Sequence, residues 1–347
     1  MRTTEELTRG CINSLKPYSS ARNEYSGKTA TVFLDANENP YNNPLNRYPD
    51  PLQHDIKEII AKNKGIAADQ IFLGNGSDEA IDLMYRIFCN PGKDNVIAME
   101  PSYGMYRVSA DTNDIEYRAI PTDDSFQPDI DRMLASADNN TKLMFFCSPN
   151  NPSGNLIERD RLIRALDNFD GITIVDEAYI DFASEKSLIG ILDRYPHLVI
   201  LQTFSKAWGM AGIRLGMAFA SPEIIALMNK VKYPYNINHL TQQAALEQLG
   251  RSERIAEWVR EIITERGIMA EKLGVLPICL HVYPSDANFI LVRVTDAEDI
   301  YNYLTDMGII VRNRSRIALC SNSLRITIGT PEENRTLMTA LNDYCKK

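Results

Sequence analysis

The stretch LQTFSKAWGMAGIRLG, residues 201–216, starts as the end of an apolar run and finishes in a lysine, a glycine-containing loop and an arginine. The run LVILQTF, which ends at Phe204, reads as a buried strand, so Ser205 and Lys206 stand directly beyond its carboxyl end. Lys206 is then either an ordinary solvated side chain at the mouth of a sheet or an amine that does chemistry. A lysine amine condenses with aldehydes, and burial or neighbouring cations lower its pKa enough to free the base. Thr203 and Ser205 alternate along the strand end and can offer two hydroxyls to one phosphate, while Arg214 adds a charge that grips in two places.

Working outward, the same rhythm recurs from residue 71: IFLG, NVIAM, IEYRAI, KLMFFC, ITIVDEA, LVILQTF and LGMAFA alternate with helical patterns. Seven buried strands with intervening helices predict an α/β fold with a mostly parallel sheet covered on both faces. Ligands of such sheets lie beyond the carboxyl ends of strands. The polar segments GNGSDE, EPSY, SPNNPSG, DEAY and SKAWG follow five of these runs and are expected to converge there. After residue 235 a long helical region, 239–273, precedes ICLHVY, NFILVRV, DIYNYLTDMG, IIVRN, LRITIG and a closing helix, which predicts a small α+β domain. The chain divides into an arm (1–28), a large domain (29–235) and a small C-terminal domain (236–347). Within the arm, Leu7, Cys11, Ile12 and Leu15 predict one amphipathic helix over residues 4–15.

The 37 basic and 46 acidic side chains give a net charge of −9, which argues against general affinity for nucleic acid or an anionic membrane surface. Any anionic ligand must find a local basic pocket. The opening MRTTEELTRGCINSLKPYSS lacks the apolar core of a secretion signal, and no later run is long and apolar enough to span a bilayer, so a cytoplasmic location is expected. The six cysteines are scattered without C-x-x-C or zinc spacing, so no metal is expected, and the alternation of ICLHVY makes Cys279-x-His281 an ordinary strand.

Three further segments bear on chemistry. Gly74-Asn75-Gly76-Ser77-Asp78 opens a helix, where unsatisfied N–H groups can receive a phosphate; the alternative is a tight turn with Ser77 or Asp78 as an N-cap. Glu79 replaces the third glycine of a dinucleotide fingerprint, and no phosphate-binding G-x-x-x-x-G-K-[ST] loop exists, so the Asp176-Glu177 pair is not the acidic partner of a nucleotide hydrolase. Asp176 ends an apolar strand and, if ionised there, needs a partner; a cationic ring nitrogen, a helix cap or an ion pair would each serve. Tyr179 can point its hydroxyl at the same place or simply pack. Taken together these features describe pyridoxal phosphate: an aldehyde for Lys206, a ring nitrogen for Asp176, a phosphate for Ser205, Arg214 and the helix N-terminus, and a ring face for Tyr103.

With those residues in place, the chain resembles the fold-type I pyridoxal-phosphate-dependent transferases, and within them the histidinol-phosphate aminotransferases. The likeness runs from KPYSSAR through LDANENPY, RYPDP, GNGSDEAID, PSYGMY, CSPNNPSGN, VDEAYIDF, TFSKAWGMAGIRLG and GIIVRN to LRITIGT. It implies that Lys206 bonds covalently to the cofactor and then shuttles protons, and that Asp176 keeps the pyridine nitrogen protonated. It further implies that Asn151 and Tyr179 bond the ring oxygen and that Tyr103 stacks on the ring. Ser77, Asp78, Thr203, Ser205 and Arg214 take the phosphate, with Tyr48 reaching the cofactor of a neighbouring subunit in a homodimer with shared active sites. Arg325 is expected to bind either the substrate phosphate or the carboxylate of glutamate, with Arg312 and Tyr18 as further phosphate contacts and Asn151 beside the substrate. The implied reaction exchanges an amino group between histidinol phosphate/imidazole acetol phosphate and glutamate/2-oxoglutarate in histidine biosynthesis. An aromatic amino acid aminotransferase or a threonine-phosphate decarboxylase of the same fold is the alternative. Ser153 stands where the family more often has threonine, which keeps the hydroxyl, and Trp208 follows SKA at a variable position, where it bears on how the domain interface closes.

Overall fold

The computed structural model describes residues 2–18 and 31–346, so the expected boundary between residues 28 and 29 lies outside the described residues, as does part of the KPYSSAR segment. All seven apolar runs form strands: β1 Ile71–Asn75, β2 Asn95–Glu100, β3 Glu116–Pro121, β4 Thr141–Cys147, β5 Ile172–Asp176, β6 Leu198–Thr203 and β7 Leu215–Phe219. They make one sheet in the order β1-β7-β6-β5-β4-β2-β3. Neighbours pair in parallel except β7, which runs antiparallel to both β1 and β6. The link from Phe204 to Arg214 holds only one short turn of 3-10 helix, Ala211–Ile213, and is too brief for the crossover that a parallel neighbour requires.

Side chains alternate between the two faces of this sheet. Ile71, Leu73, Ile97, Met99, Met144 and Phe146 pack beneath helices that include His54–Lys64 and Arg159–Asn168. Phe72, Val96, Ala98, Leu143 and Phe145 pack under the helices Gly76–Phe88 and Pro222–Val231. Burial on both faces explains why the strands other than the partly exposed edge strand β3 read as continuous apolar runs rather than alternating ones. With both faces covered, the strand ends are where polar side chains can gather.

The second sheet contains β8 Cys279–Val282, β9 Phe289–Val294, β10 Arg312–Asn313 and β11 Ser323–Thr327, in the antiparallel order β10-β11-β9-β8. Cys279 and His281 both lie on β8. Its core is closed by the helices Ser252–Gly274, Ala297–Asp306 and Pro331–Tyr344. The long helical region expected over 239–273 breaks at Gly250 and Arg251 into His239–Leu249 and Ser252–Gly274. Ala245 and Leu249 of the first piece bury in the large sheet's core, so by packing this helix sides with that sheet although it lies beyond residue 235.

The single helix expected over residues 4–15 is instead two one-turn helices, Thr4–Leu7 and Gly10–Asn13. Thr8 between them is extended, and Thr3 with Glu6 closes a reciprocal cap on the first turn. Leu7 is buried in the large-sheet core, whereas Leu15 is exposed. Trp208 bridges two clusters: it packs against the large core and against Tyr179, Phe182 and Phe289, where the two sheets meet. Its ring lies 5.1 Å from that of Phe204, and its carbonyl accepts from Gln248.

Candidate active site

The ends of β4, β5 and β6 open into a cleft of about 260 Å³ that also receives side chains from the small sheet. Its inner end is built by close backbone approach. Gly76 has φ +70 and donates its N–H to the Arg214 carbonyl at 2.7 Å. A Cβ at Gly216 would fall 2.1 Å from the Ser77 nitrogen, so only glycine lets β7 lie this close to the helix Gly76–Phe88. Arg214 itself is left-handed (φ 55, ψ 46), a conformation that costs a non-glycine residue free energy and puts its guanidinium over the helix start. That guanidinium donates to Ser205 Oγ at 3.4 Å and meets Asp78 Oδ2 at 3.4 Å. Ser205 N donates to Thr203 Oγ1 at 3.1 Å, and Ser77 and Asp78 line the cleft from the first turn of the helix.

At the centre Asp176 is fully buried. Its Oδ2 accepts from the Tyr106 hydroxyl at 2.8 Å and its Oδ1 from Ala178 N at 3.0 Å. Burial pushes the carboxyl up to about 6, against the pull of those two donors. Glu177 points the other way and is tied by Ser187, Leu188 N and Gln202, which anchors the segment after β5. Lys206 Nζ sits 5.4 Å from the Tyr179 ring centre. Burial first, then the Arg325 charge, holds it below the ordinary lysine range, with Asp176 opposing and Arg214 reinforcing. Tyr103 lines the cleft beside these groups and donates to Asp78 Oδ1 at 3.1 Å.

Asn151 is presented by the turn after β4. Asn150 donates to Ser153 Oγ at 2.8 Å and Ser153 donates to Asn155 at 2.5 Å, so the hydroxyl at position 153 braces that turn. Asn151 then donates to the Tyr179 hydroxyl at 3.4 Å and accepts from Arg325 Nη1 at 2.5 Å. Arg325, on β11, also lies over the Phe289 ring at 5.2 Å.

The structure thus gathers Ser77, Asp78, Tyr103, Asn151, Asp176, Tyr179, Thr203, Ser205, Lys206, Arg214 and Arg325 around one cleft. It does not gather three others. Arg312 is exposed on β10 and Tyr18 is 68% exposed, and neither lines the cleft of this chain. Tyr48 stacks on Tyr235 at 4.5 Å and lines a separate surface hollow with Leu45 and Leu240. Two residues are added. Tyr106 orients Asp176 from seventy positions away, which no local pattern signals. Arg314 lines the cleft just beyond the two-residue strand β10, which is too short to signal it.

The donor set fits pyridoxal phosphate. A buried carboxylate with no ion pair among the described residues suits a protonated ring nitrogen, the helix start with Ser205 and Arg214 suits a phosphate, and a lysine amine with a lowered pKa suits an aldehyde. The family description "aminotransferase class I and II" matches residues 21–341. A histidinol-phosphate aminotransferase of Bacteroides fragilis is 58% identical over 344 residues, 99% of this chain and 100% of that one. The crystal structure of histidinol-phosphate aminotransferase from Clostridium acetobutylicum superposes with a TM-score of 0.80 at 26% identity, covering 87% of this chain and 91% of that one. The Sinorhizobium meliloti histidinol-phosphate aminotransferase, solved in complex with pyridoxal-5'-phosphate, shares the fold with a TM-score of 0.78 at 24% identity, covering 86% of this chain and 83% of that one. The chain belongs to the class I and II aminotransferases and, within them, to the histidinol-phosphate aminotransferase family.

Proposed function

We propose that this chain, with pyridoxal phosphate as cofactor, transfers an amino group between histidinol phosphate/imidazole acetol phosphate and glutamate/2-oxoglutarate, a step of histidine biosynthesis. The observation that carries this reading is one cleft in which Lys206 and Asp176 lie between Arg214, just before β7, and the guanidinium groups of Arg314 and Arg325 from the small-sheet side. Such a cleft can hold two anions around one amine. When bound, pyridoxal phosphate supplies a carbonyl that carries the amino group and a ring that accepts the electron pair left by a departing proton.

The chain's residues do the rest. Ser77 and Asp78 N–H groups, Thr203, Ser205 and Arg214 hold the cofactor phosphate; Tyr103 covers the ring, and Asn151 with Tyr179 bonds its oxygen. Asp176, aligned by Tyr106, keeps a proton on the ring nitrogen. Lys206, its pKa lowered by burial and by Arg325, would take the proton from the substrate carbon and return it two atoms away, on the far side of the amino nitrogen. Arg325 holds the substrate anion, and its bond to Asn151 ties that grip to the ring site. One arginine that accepts a carboxylate or a phosphate suits chemistry in which the two amino donors come in turn.

We further propose a homodimer in which Tyr48 serves the partner's cofactor and a cytoplasmic location. Tyr48 stands outside this chain's own cleft, and exposed Leu34, Leu45 and Leu240 offer apolar surface for a second copy. No helix among the described residues is long and apolar enough to cross a membrane. The test is an assay of the loaded enzyme with histidinol phosphate and 2-oxoglutarate, with phenylalanine and threonine phosphate as alternatives. Transfer from histidinol phosphate is expected to dominate. Transfer from phenylalanine alone, or release of carbon dioxide from threonine phosphate, overturns the assignment.

A further inference from the structure

We propose that Glu38 is the positioning residue that sets Tyr48 for the neighbouring protomer's cofactor, by holding the side chain of Arg47 and the backbone N–H of Tyr48 on one carboxylate. The inference rests on the homodimer proposed above and deepens it.

Residues 31–50 form neither helix nor strand. A loop of that length within a compact domain is uncommon unless it serves a function. Leu34, Asn37 and Asn39 are exposed, yet the Glu38 side chain is only 4% exposed. It turns inward, where its carboxylate accepts from Arg47 Nη1 at 2.7 Å and from Tyr48 N at 2.6 Å. Arg47 Nη1 also donates to the Phe33 carbonyl at 3.3 Å, which draws the start of the loop to the same place. Bonds to an ionised carboxylate are about twice as strong as neutral ones. One side chain therefore fixes two consecutive residues, nine and ten positions along the chain.

Downstream of Tyr48 the chain is held independently. Asp50 accepts from Leu52 N at 2.9 Å and from His54 N at 2.6 Å, and the Pro51 carbonyl accepts from buried Lys232 at 2.8 Å. The Tyr48 ring lies nearly flat on Tyr235, with centroids 4.5 Å apart and planes 18° from parallel. Upstream the hold comes from Glu38, with the neutral bond from Asn46 Nδ2 to the Asn39 carbonyl at 3.0 Å as its companion. Held in this way, Tyr48 is 50% exposed and stays out of the cleft of its own chain.

The benefit of such a hold is preorganisation. A tyrosine that reaches across an interface gives its full hydrogen bond to a phosphate only if its loop is already ordered; otherwise binding must supply the ordering entropy. Glu38 orders the loop before the cofactor arrives.

The test uses hybrid dimers with one live site each, assembled from differently tagged chains and loaded with pyridoxal phosphate. A Lys206→Ala chain has no amine to trap, so borohydride added after dialysis labels Lys206 of the live site alone. The first hybrid carries Glu38→Ala on the Lys206→Ala chain beside a wild-type chain, so the live site receives its tyrosine from the altered loop. The second carries Glu38→Ala on the live chain and leaves the loop of the Lys206→Ala chain intact. The live site of the first should hold the cofactor about 10-fold more weakly than that of the second, the loss of one hydrogen bond to a charged group. Equal retention, or weaker retention in the second, overturns the proposal, because a residue that only stabilises its own chain acts there. If Glu38→Ala chains do not assemble, Glu38→Gln, which keeps the size and one acceptor, should show the same order with a smaller difference. Tyr48→Phe in the same two arrangements separates this proposal from the dimer beneath it. An effect of Tyr48→Phe across the dimer with none from Glu38 variants overturns the role of Glu38 alone. An effect of Tyr48→Phe confined to its own chain, or a loaded enzyme that sediments as a monomer, overturns the shared site as well.

Discussion

The two ends of the cleft differ in the groups they offer to an anion. The inner end relies on the first turn of a helix, two hydroxyls and one arginine, Arg214, whose charge is partly offset by Asp78 at 3.4 Å. The outer end relies on arginine side chains of the small sheet, Arg314 and Arg325, with no carboxylate paired to either among the described residues. Backbone N–H groups do not titrate, and any substitution short of proline leaves them in place, so this part of the inner end depends on how closely β7 approaches the helix. The outer end depends on charge alone. Substitutions that disturb packing should therefore separate from those that remove charge.

Removing the amine between the two ends is expected to have the largest effect. Lys206→Ala should lower turnover by at least about 10⁴-fold, because proton transfer and the covalent link are lost together. Borohydride reduction of the loaded wild type followed by peptide mapping should label Lys206. An unlabelled Lys206 in an active enzyme would leave both ends without a common centre. At the outer end, Arg325→Gln should reduce kcat/KM for histidinol phosphate and for glutamate by about 10- to 100-fold each, since one guanidinium serves both anions. A loss confined to one donor would show that the donors are held at different places.

At the inner end, Gly216→Ala is the packing counterpart. The added Cβ collides with the Ser77 nitrogen, a backbone atom that cannot swing aside. Urea unfolding should show a loss of about 1–3 kcal/mol, and a cofactor titration should show weaker retention. If binding weakens without loss of stability, the collision has been absorbed by moving the helix start alone. If stability falls while cofactor binding is kept, the phosphate is not held by that helix turn.

The same contrast separates what the sequence discloses from what it hides. Six of the seven strands of the large sheet were legible because burial on both faces turns each into an apolar run, the edge strand β3 being only partly buried, and the polar segments beyond those runs do converge. The direction of β7 was not legible from its apolar pattern, which reads the same either way, although the short link after β6 carried the information. Tyr106 reaches Asp176 through tertiary packing and leaves no local trace. Arg314 follows a two-residue strand, too short to announce which of two nearby arginines turns inward. In the arm, apolar spacing predicted one helix, and the cap formed by Thr3 and Glu6 with the extended Thr8 made two turns instead.

A pH titration tests the centre without turnover. Asp176 has its pKa raised from 3.8 to about 6 by burial, so the unfolded chain gives up this proton before the folded one does. Stability of the cofactor-free protein should then fall as pH rises through that window, by about 3 kcal/mol from this group at most, and level off above it. Other buried carboxyls, Glu177 and Asp181, are also shifted upward, so the quantity to follow is the difference between wild type and Asp176→Asn. The variant gives up one of the two acceptors used by Tyr106 and Ala178, a cost that does not change with pH. The slope of the difference isolates the charge: Asp176→Asn should gain on wild type between pH 4 and 6. Pyridoxal phosphate should shrink that slope, because a cation on its ring nitrogen gives the carboxylate the partner it otherwise lacks. An equal slope with and without the cofactor would place the ring nitrogen somewhere other than against Asp176.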